Sequence, residues 1–347
     1  MDRKELLMLQ SLPLDIKVLK TKQRLRDAIN YFGVDGLYLS FSGGKDSMVL
    51  HTILEEVEME LYGEVKIPRV FCNTGLEFPE LVKMAKQIYD VELRPKMSFV
   101  QVLTHYGYPV ISKQQAQYIS QYRVTKSDKV KKIRWEGNRW GMGKISEKWK
   151  YLVDADFKIS EKCCDVMKKQ PFKKYEKDTG RIPILGIMAE ESLQRETNYL
   201  KDGGCNAFNN KRPQSKPIGF WKEQDILEYI YINKIEIPSV YGEIKFTTNL
   251  FGNREYYTTG QRRTGCVFCM FGISRSDRGI NNIQRLQYLN PTLHDYCIRG
   301  GKYNEEGYWV PDKGLGMAHV LHVLGFDYML SDEQLARLKK EFGEEDE

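Results

Sequence analysis

Along the first third of the chain the apolar positions alternate between a helical period and short strand-like runs. Ile16, Leu19, Leu25, Ala28, Ile29 and Phe32 recur at helical spacing and predict an amphipathic helix that Gly33 stops. Gly36-Leu37-Tyr38-Leu39-Ser40-Phe41 then reads as a strand, and Met48, Val49, Leu50, Ile53 and Leu54 return to the helical period. Ile67 to Cys72 is a short apolar strand, Pro79 to Asp90 a helix, Val91 to Arg94 a strand and Ile182 to Met188 a later buried strand. A helix from Glu223 to Ile232 ends the sheet-like part. Strands separated by helices predict an α/β fold, a doubly wound and mostly parallel sheet with helices on both faces. Beyond Pro238 the pattern is irregular, and it turns helical again at Ala318, Val320, Leu321, Val323 and Leu324. The expected organisation is a helical segment over 1–33, an α/β domain over 34–237 and a C-terminal cysteine-containing unit over 238–347.

Composition narrows the class. With 347 residues, 41% of them hydrophobic, and 21 Tyr and 15 Phe, the chain can bury a large core and is not disordered, the acidic run Glu344-Glu345-Asp346-Glu347 excepted. Charges of both signs at Met1-Asp2-Arg3-Lys4-Glu5 argue against a signal peptide, and no run approaches the roughly 20 apolar residues of a membrane span. Seven cysteines, odd in number and clustered, fit a reducing, cytoplasmic compartment with some of them acting as ligands. The formal charge of +6 is unevenly spread. Between Ile111 and Ser160 twelve Lys or Arg face five Asp or Glu, among Tyr118, Tyr122, Trp135, Trp140, Trp149 and Tyr151. This basic aromatic insertion, about 113–151, suits either a solvated helical appendage or contact with a polyanion such as a nucleic acid.

The chemistry concentrates first at Ser42-Gly43-Gly44-Lys45-Asp46-Ser47, between a strand end and a helix start. Two glycines free backbone N–H groups of side-chain obstruction, hydroxyls and one cation stand beside them, and the helix adds its positive end, so the segment is predicted to cradle phosphate. The Gly-x-x-x-x-Gly-Lys spacing of a Walker loop is absent.

At these residues the chain resembles the PP-loop superfamily, and within it the adenylyl-sulfate and phosphoadenylyl-sulfate reductase family. Asn73-Thr74-Gly75 and Phe78-Pro79-Glu80 look like that family's Asp-Thr-Gly and Phe-Pro-Glu element. Gly186-Ile187-Met188-Ala189-Glu190-Glu191-Ser192 with Arg195 looks like its Gly-x-Arg-x-x-Glu-Ser-x-x-Arg element, and Pro217-Ile218, Trp221, Asp225-Ile226 and Tyr229-Ile230 match a further run. The resemblance implies an adenine nucleotide, ATP or a sulfonucleotide, bound by Ser40, Ser42, Gly43, Gly44, Lys45, Asp46, Ser47, Asn73, Thr74, Gly75, Gly186, Glu191, Ser192 and Arg195. Lys45, Asp46 and Arg195 would be catalytic, with Mg²⁺ present if ATP is cleaved.

Cys163-Cys164 and Cys266-Val267-Phe268-Cys269 form a second constellation. Two-spacer pairs commonly wrap metals, while an adjacent pair is unusual at structural zinc. A metal cluster, zinc and buried thiols remain open on spacing alone. The resemblance implies a [4Fe–4S] cluster on Cys163, Cys164, Cys266 and Cys269, as in the family's iron–sulfur branch.

Departures from the family matter. Its reductases use a further cysteine in a Glu-Cys-Gly context near the carboxyl terminus, whereas here no cysteine follows Cys297; Asn73 replaces an aspartate and Met188 an arginine. Three readings follow. The first is ATP pyrophosphatase and sulfur-transfer chemistry on a nucleic acid or other acceptor, with a sulfur or electron donor protein as partner. The second is a sulfonucleotide reductase releasing sulfite with Cys297 or Cys205 as nucleophile. The third is a non-catalytic nucleotide or redox sensor. Homo-oligomerisation is left open.

Overall fold

The computed structural model describes residues 1–274 and 279–342, and the acidic run 344–347 lies outside them. The chain divides into two compact units that interleave along the sequence, a division other than the three consecutive stretches expected from the pattern. One comprises Met1–Asn73, Glu77–Arg94 and Pro171–Thr264; the other Thr74–Leu76, Pro95–Gln170 and Gly265–Glu347. Among the described residues no helix is long and apolar enough to cross a membrane.

The first unit is the α/β part. Its six-stranded sheet runs Val91–Leu93, Arg69–Cys72, Leu37–Phe41, Ile182–Leu185, Gln214–Ser215, Asn206–Ala207, and only the last pair is antiparallel. Leu37–Phe41 sits near the centre, with Leu39 paired to Arg69 on one side and Ile184 on the other. Both faces of such a strand are covered by helices, so it reads as a continuous apolar run rather than an alternation. Leu37, Leu39 and Phe41 are buried together with Val49, Leu50, Ile53 and Leu54 of the helix Lys45–Tyr62. The helix Leu14–Phe32 ends at Gly33 as its apolar period predicts, but it is no separate segment. Its Lys17 is buried and pairs with Asp225 at 2.7 Å, and its Thr21 hydroxyl accepts from Trp221 Nε1 at 2.9 Å.

A buried ion pair ties the second sheet strand to the helix that follows the first. Arg69 Nη2 lies 2.7 Å from Glu58 Oε2, both side chains out of solvent. Glu58 Oε1 also accepts from the backbone N–H of Lys66 and Ile67 at 2.8 and 2.6 Å. A carboxylate so surrounded is costly to strip of its partner, because the orphaned charge would remain in the core.

The second unit is mostly helical. Lys113–Val124 and Asp128–Glu136 pack on one another, followed by a tight helical turn over Glu147–Asp154. Arg123 fastens that turn by donating to the carbonyls of Leu152, Val153, Ala155 and Phe157 at 2.6 to 2.9 Å. The expected C-terminal helix is present at Met317–Leu324.

His51, on the helix Lys45–Tyr62, accepts from Arg69 Nε at 3.2 Å. Burial, with the Arg69 charge, pushes its pKa down to about 4 from 6.5, Asp90 opposing. The fold therefore requires a neutral imidazole, and this part of the stability is complete above pH 6.5 and lost as pH falls toward 4. At about 1.4 kcal/mol per unit the effect reaches about 3 kcal/mol. Denaturant unfolding at pH 7 and pH 4 is expected to show a smaller loss for His51→Gln than for the parent chain; parallel losses would contradict it.

Candidate functional site

Three residues turn the chain from the strand Leu37–Phe41 into the helix Lys45–Tyr62. Gly43 adopts φ +73°, and a Cβ there would stand 2.9 Å from the Leu81 carbonyl oxygen, so conformation and space both require glycine. Gly44 occupies the N-cap position of an 18-residue helix and offers no side chain to cap it. The serines brace the turn instead. Ser42 Oγ donates to Ser47 Oγ at 3.0 Å, and Ser47 Oγ donates to the Gly44 carbonyl at 2.9 Å. The Lys45 N–H reaches only the Tyr241 hydroxyl at 3.4 Å, and the Asp46 N–H meets no acceptor among the described residues. The positive end of the helix is thus left with donors to spare.

Charge gathers at the same turn. Lys45 is 4% exposed, and its Nζ lies 3.5 Å from Glu223 Oε1 and 3.6 Å from Asp46 Oδ1. Both of those oxygens are buried without a hydrogen-bond donor. Glu223, 6% exposed, accepts through Oε2 from Arg262 at 2.5 and 3.0 Å, with Arg263 at 3.9 Å. Burial holds the Asp46 carboxyl above the usual range; Lys45 opposes this, and Glu191 and Glu223 add to it. Burial would raise Glu223 as well, but the hydrogen bond from Arg262 and the charges of Lys45, Arg262 and Arg263 bring it below. Three cations and two carboxylates therefore share one turn.

Not every predicted residue is at this turn. Gly186 is, since a Cβ on it would lie 3.5 Å from the Asp46 carbonyl oxygen. Ser40 lies within the strand, registered against Val70 and Leu185. Asn73 donates its side-chain amide to Glu92 Oε1 at 3.2 Å. Glu191 accepts from the Met188 N–H at 3.0 Å and pairs with Arg195, while Ser192 caps the helix Leu193–Lys201. Arg195 lines a cleft of about 350 Å³ with Ile187, Asn198, Asp202 and Lys216. Thr74 and Gly75 belong to the second unit, where Thr74 Oγ1 accepts from the Leu76 N–H at 3.2 Å. Sequence reasoning missed Glu223, Tyr241, Arg262, Arg263 and Thr264, the last bonded to the Tyr241 hydroxyl at 2.6 Å. The doublet Arg262-Arg263 was a visible signal; Tyr241 offered none.

All four cysteines of the second constellation fall in the second unit and come within electrostatic reach of one another. Burial pushes the Cys163 thiol up, and Cys164, Cys266 and Cys269 push it further, Lys168 opposing. Burial and Cys266 raise Cys269 to about 12. Cys163-Cys164 lead into one wide helical turn over Asp165–Lys169, a form frequent at functional sites, and the Cys269 N–H closes a turn on the Cys266 carbonyl at 3.0 Å. Among the described residues no three His, Cys, Asp or Glu side chains are grouped to hold a single metal ion. Cys297 and Cys205 lie elsewhere and are buried, Cys297 against Met317 Sδ at 3.3 Å and Cys205 against the Tyr199 hydroxyl at 3.1 Å.

A search of curated proteins finds no match for the chain. A family model described as the phosphoadenosine phosphosulfate reductase domain matches residues 36–270, which hold the parallel sheet, the glycine turn and all four clustered cysteines. The chain belongs to the phosphoadenosine phosphosulfate reductase domain family, a PP-loop nucleotide-binding family.

Proposed function

We propose that the chain is an ATP pyrophosphatase that activates an acceptor for sulfur transfer. The observation that carries this reading is the uncapped start of the helix Lys45–Tyr62, with Lys45 held at the same turn. An acceptor oxygen attacks the α-phosphorus of ATP, the bond to the β-phosphate oxygen breaks, and pyrophosphate leaves with its electron pair. A sulfur nucleophile at the sulfide level, from a donor protein, then displaces AMP from the acceptor without net redox change. Lys45 Nζ and the N–H groups of Lys45 and Asp46 would receive the leaving pyrophosphate, where charge grows as the bond breaks. Ser42 and Ser47 hold the turn in the form that presents those donors. Mg²⁺, when bound, would neutralise pyrophosphate charge, and the buried Asp46 Oδ1 without a donor suits a metal ligand.

The donor set at Cys163, Cys164, Cys266 and Cys269 fits a [4Fe–4S] cluster. Four thiolates on one zinc ion, at about 2.3 Å each, crowd together, whereas a cube spreads one thiolate to each iron corner. The mutual electrostatic influence of the four thiols supports their sharing one site. When bound, the cluster would supply a centre for sulfur or electron handling. Lys168 and Lys113, which oppose the raised thiols, would favour the deprotonated ligands.

The sulfonucleotide reductase reading finds less support. An attacking thiolate needs access and a lowered pKa, yet Cys297 is fully buried with its pKa pushed up to about 12, and burial raises Cys205 too.

Pyrophosphate release from ATP is expected to fall about a hundredfold in Lys45→Ala. Asp46→Asn is also expected to abolish release, yet to raise Tm at pH 7. A carboxyl whose folded pKa is raised stabilises only in its protonated form and loses that contribution as pH rises. Undiminished release in either variant, or sulfite release from sulfonucleotides in place of pyrophosphate, would contradict the reading. Cys163→Ser, purified anaerobically, is expected to lose iron and sulfide together; zinc retained at parent levels would speak against the cluster.

A further inference from the structure

The turn over 137–143, in the second unit, holds a tryptophan out in solvent on a stiff mount. Trp140 is 64% exposed and Met142 61%, while Trp149 of the same insertion is buried and Trp135 half-buried. The exposure is not slackness. Asn138 Oδ1 accepts from the N–H groups of Trp140 and Met142 at 2.9 and 3.0 Å, and the Asn138 N–H donates to the Met142 carbonyl at 2.8 Å. The Gly141 N–H donates to the Asn138 carbonyl at 2.8 Å, and a Cβ on Gly137 would stand 2.8 Å from the Gly141 carbonyl carbon. Arg134 ties the turn to the helix Asp128–Glu136, its Nη1 donating to the Gly143 carbonyl at 2.6 Å and its own carbonyl accepting from the Ile145 N–H at 2.8 Å.

The surroundings say what such a mount would hold. The Arg139 guanidinium lies 3.8 Å from the Trp140 ring centroid and covers one face of the indole. Lys126, Lys129 and Lys131 are exposed and have no acidic partner within ion-pair distance among the described residues; Lys132 has Glu136 at 3.8 Å. Lysines left unpaired on and just before the helix that leads into this turn are poor material for a protein interface, whose core is depleted in lysine. They are good material for a strand that carries a phosphate at every step and a flat π-face at every base.

We propose that the Arg139–Trp140 turn is a base-stacking platform for single-stranded nucleic acid, with Lys126, Lys129, Lys131 and Lys132 holding the flanking phosphates. A base lies on the indole face that Arg139 leaves open. A duplex keeps its base faces stacked and offers only phosphates, so it binds more weakly. The platform deepens the reading above and rests on it for its purpose, since it makes the acceptor a nucleic acid.

Fluorescence anisotropy of the full chain with labelled oligothymidylate and oligouridylate of about 20 nucleotides, and with a duplex of the same length, tests it. Both single strands are expected to bind more tightly than the duplex. Trp140→Ala is expected to weaken the single strand about tenfold with Tm unchanged, Trp140→Phe less so. Lys129→Glu with Lys131→Glu is expected to weaken binding and flatten its salt dependence. No strand binding at about 50 mM salt would overturn the platform and leave a protein as its occupant, and binding unaffected by Trp140→Ala, or tighter duplex binding, would also overturn it. Binding of inorganic pyrophosphate at the Lys45 turn needs no acceptor, so failure of the platform and failure of the ATP reading show up in different assays.

Discussion

A helix that begins without a cap must find partners for its first N–H groups elsewhere, and the site in the first unit is built around that need. The helix Lys45–Tyr62 is long and is anchored in the core through its middle, at Ile53, Leu54 and Val57. Gly43 must be glycine for the strand to turn so sharply against the Leu81 carbonyl. Ser42 and Ser47 then spend their hydroxyls on the turn itself, Ser42 Oγ also accepting from the Gly44 N–H, so that the Lys45 and Asp46 N–H groups are the donors left to spare.

The charges around this turn are balanced against one another in a way that an incoming phosphate would disturb. Glu223 accepts from Arg262 and faces Lys45, so it keeps the cations in place while neutralising them. Asp46 is held at the same lysine, in surroundings that disfavour its ionised form. A phosphate group offers the cations a second partner, and the same event relieves the orphaned oxygens of Asp46 and Glu223 if a divalent ion arrives with it. In the proposed reading, nucleotide and metal would then be coupled through Lys45 and Glu223, which are almost fully buried, and the half-buried Asp46.

Much of the α/β part was legible because it is local. The strand Leu37–Phe41, the glycine turn and the helix after it are consecutive, and each is announced by period or by turn residues. The hairpin of Ile244–Thr248 with Arg254–Thr258 was not read, because its strands are mostly exposed and show no clean alternation. The two-residue strands Asn206–Ala207 and Gln214–Ser215 are too short to show any period. The interleaving of the two units follows from contacts between distant segments, which no window of sequence contains. At the glycine turn the residues are consecutive and stand out by their order, whereas Glu223 and Tyr241 reach the turn only through tertiary packing. Ser192 caps a helix and Ser40 is registered within the sheet, neither of which their motifs announce.

Calorimetric titration of the full chain with inorganic pyrophosphate, repeated on Lys45→Ala, tests the central claim most directly. The account predicts saturable binding by the parent chain that Lys45→Ala weakens at least tenfold, an anion-to-lysine contact at a nearly buried site being worth about 1.5–3 kcal/mol. Binding of equal strength by both chains, or by neither, would contradict it.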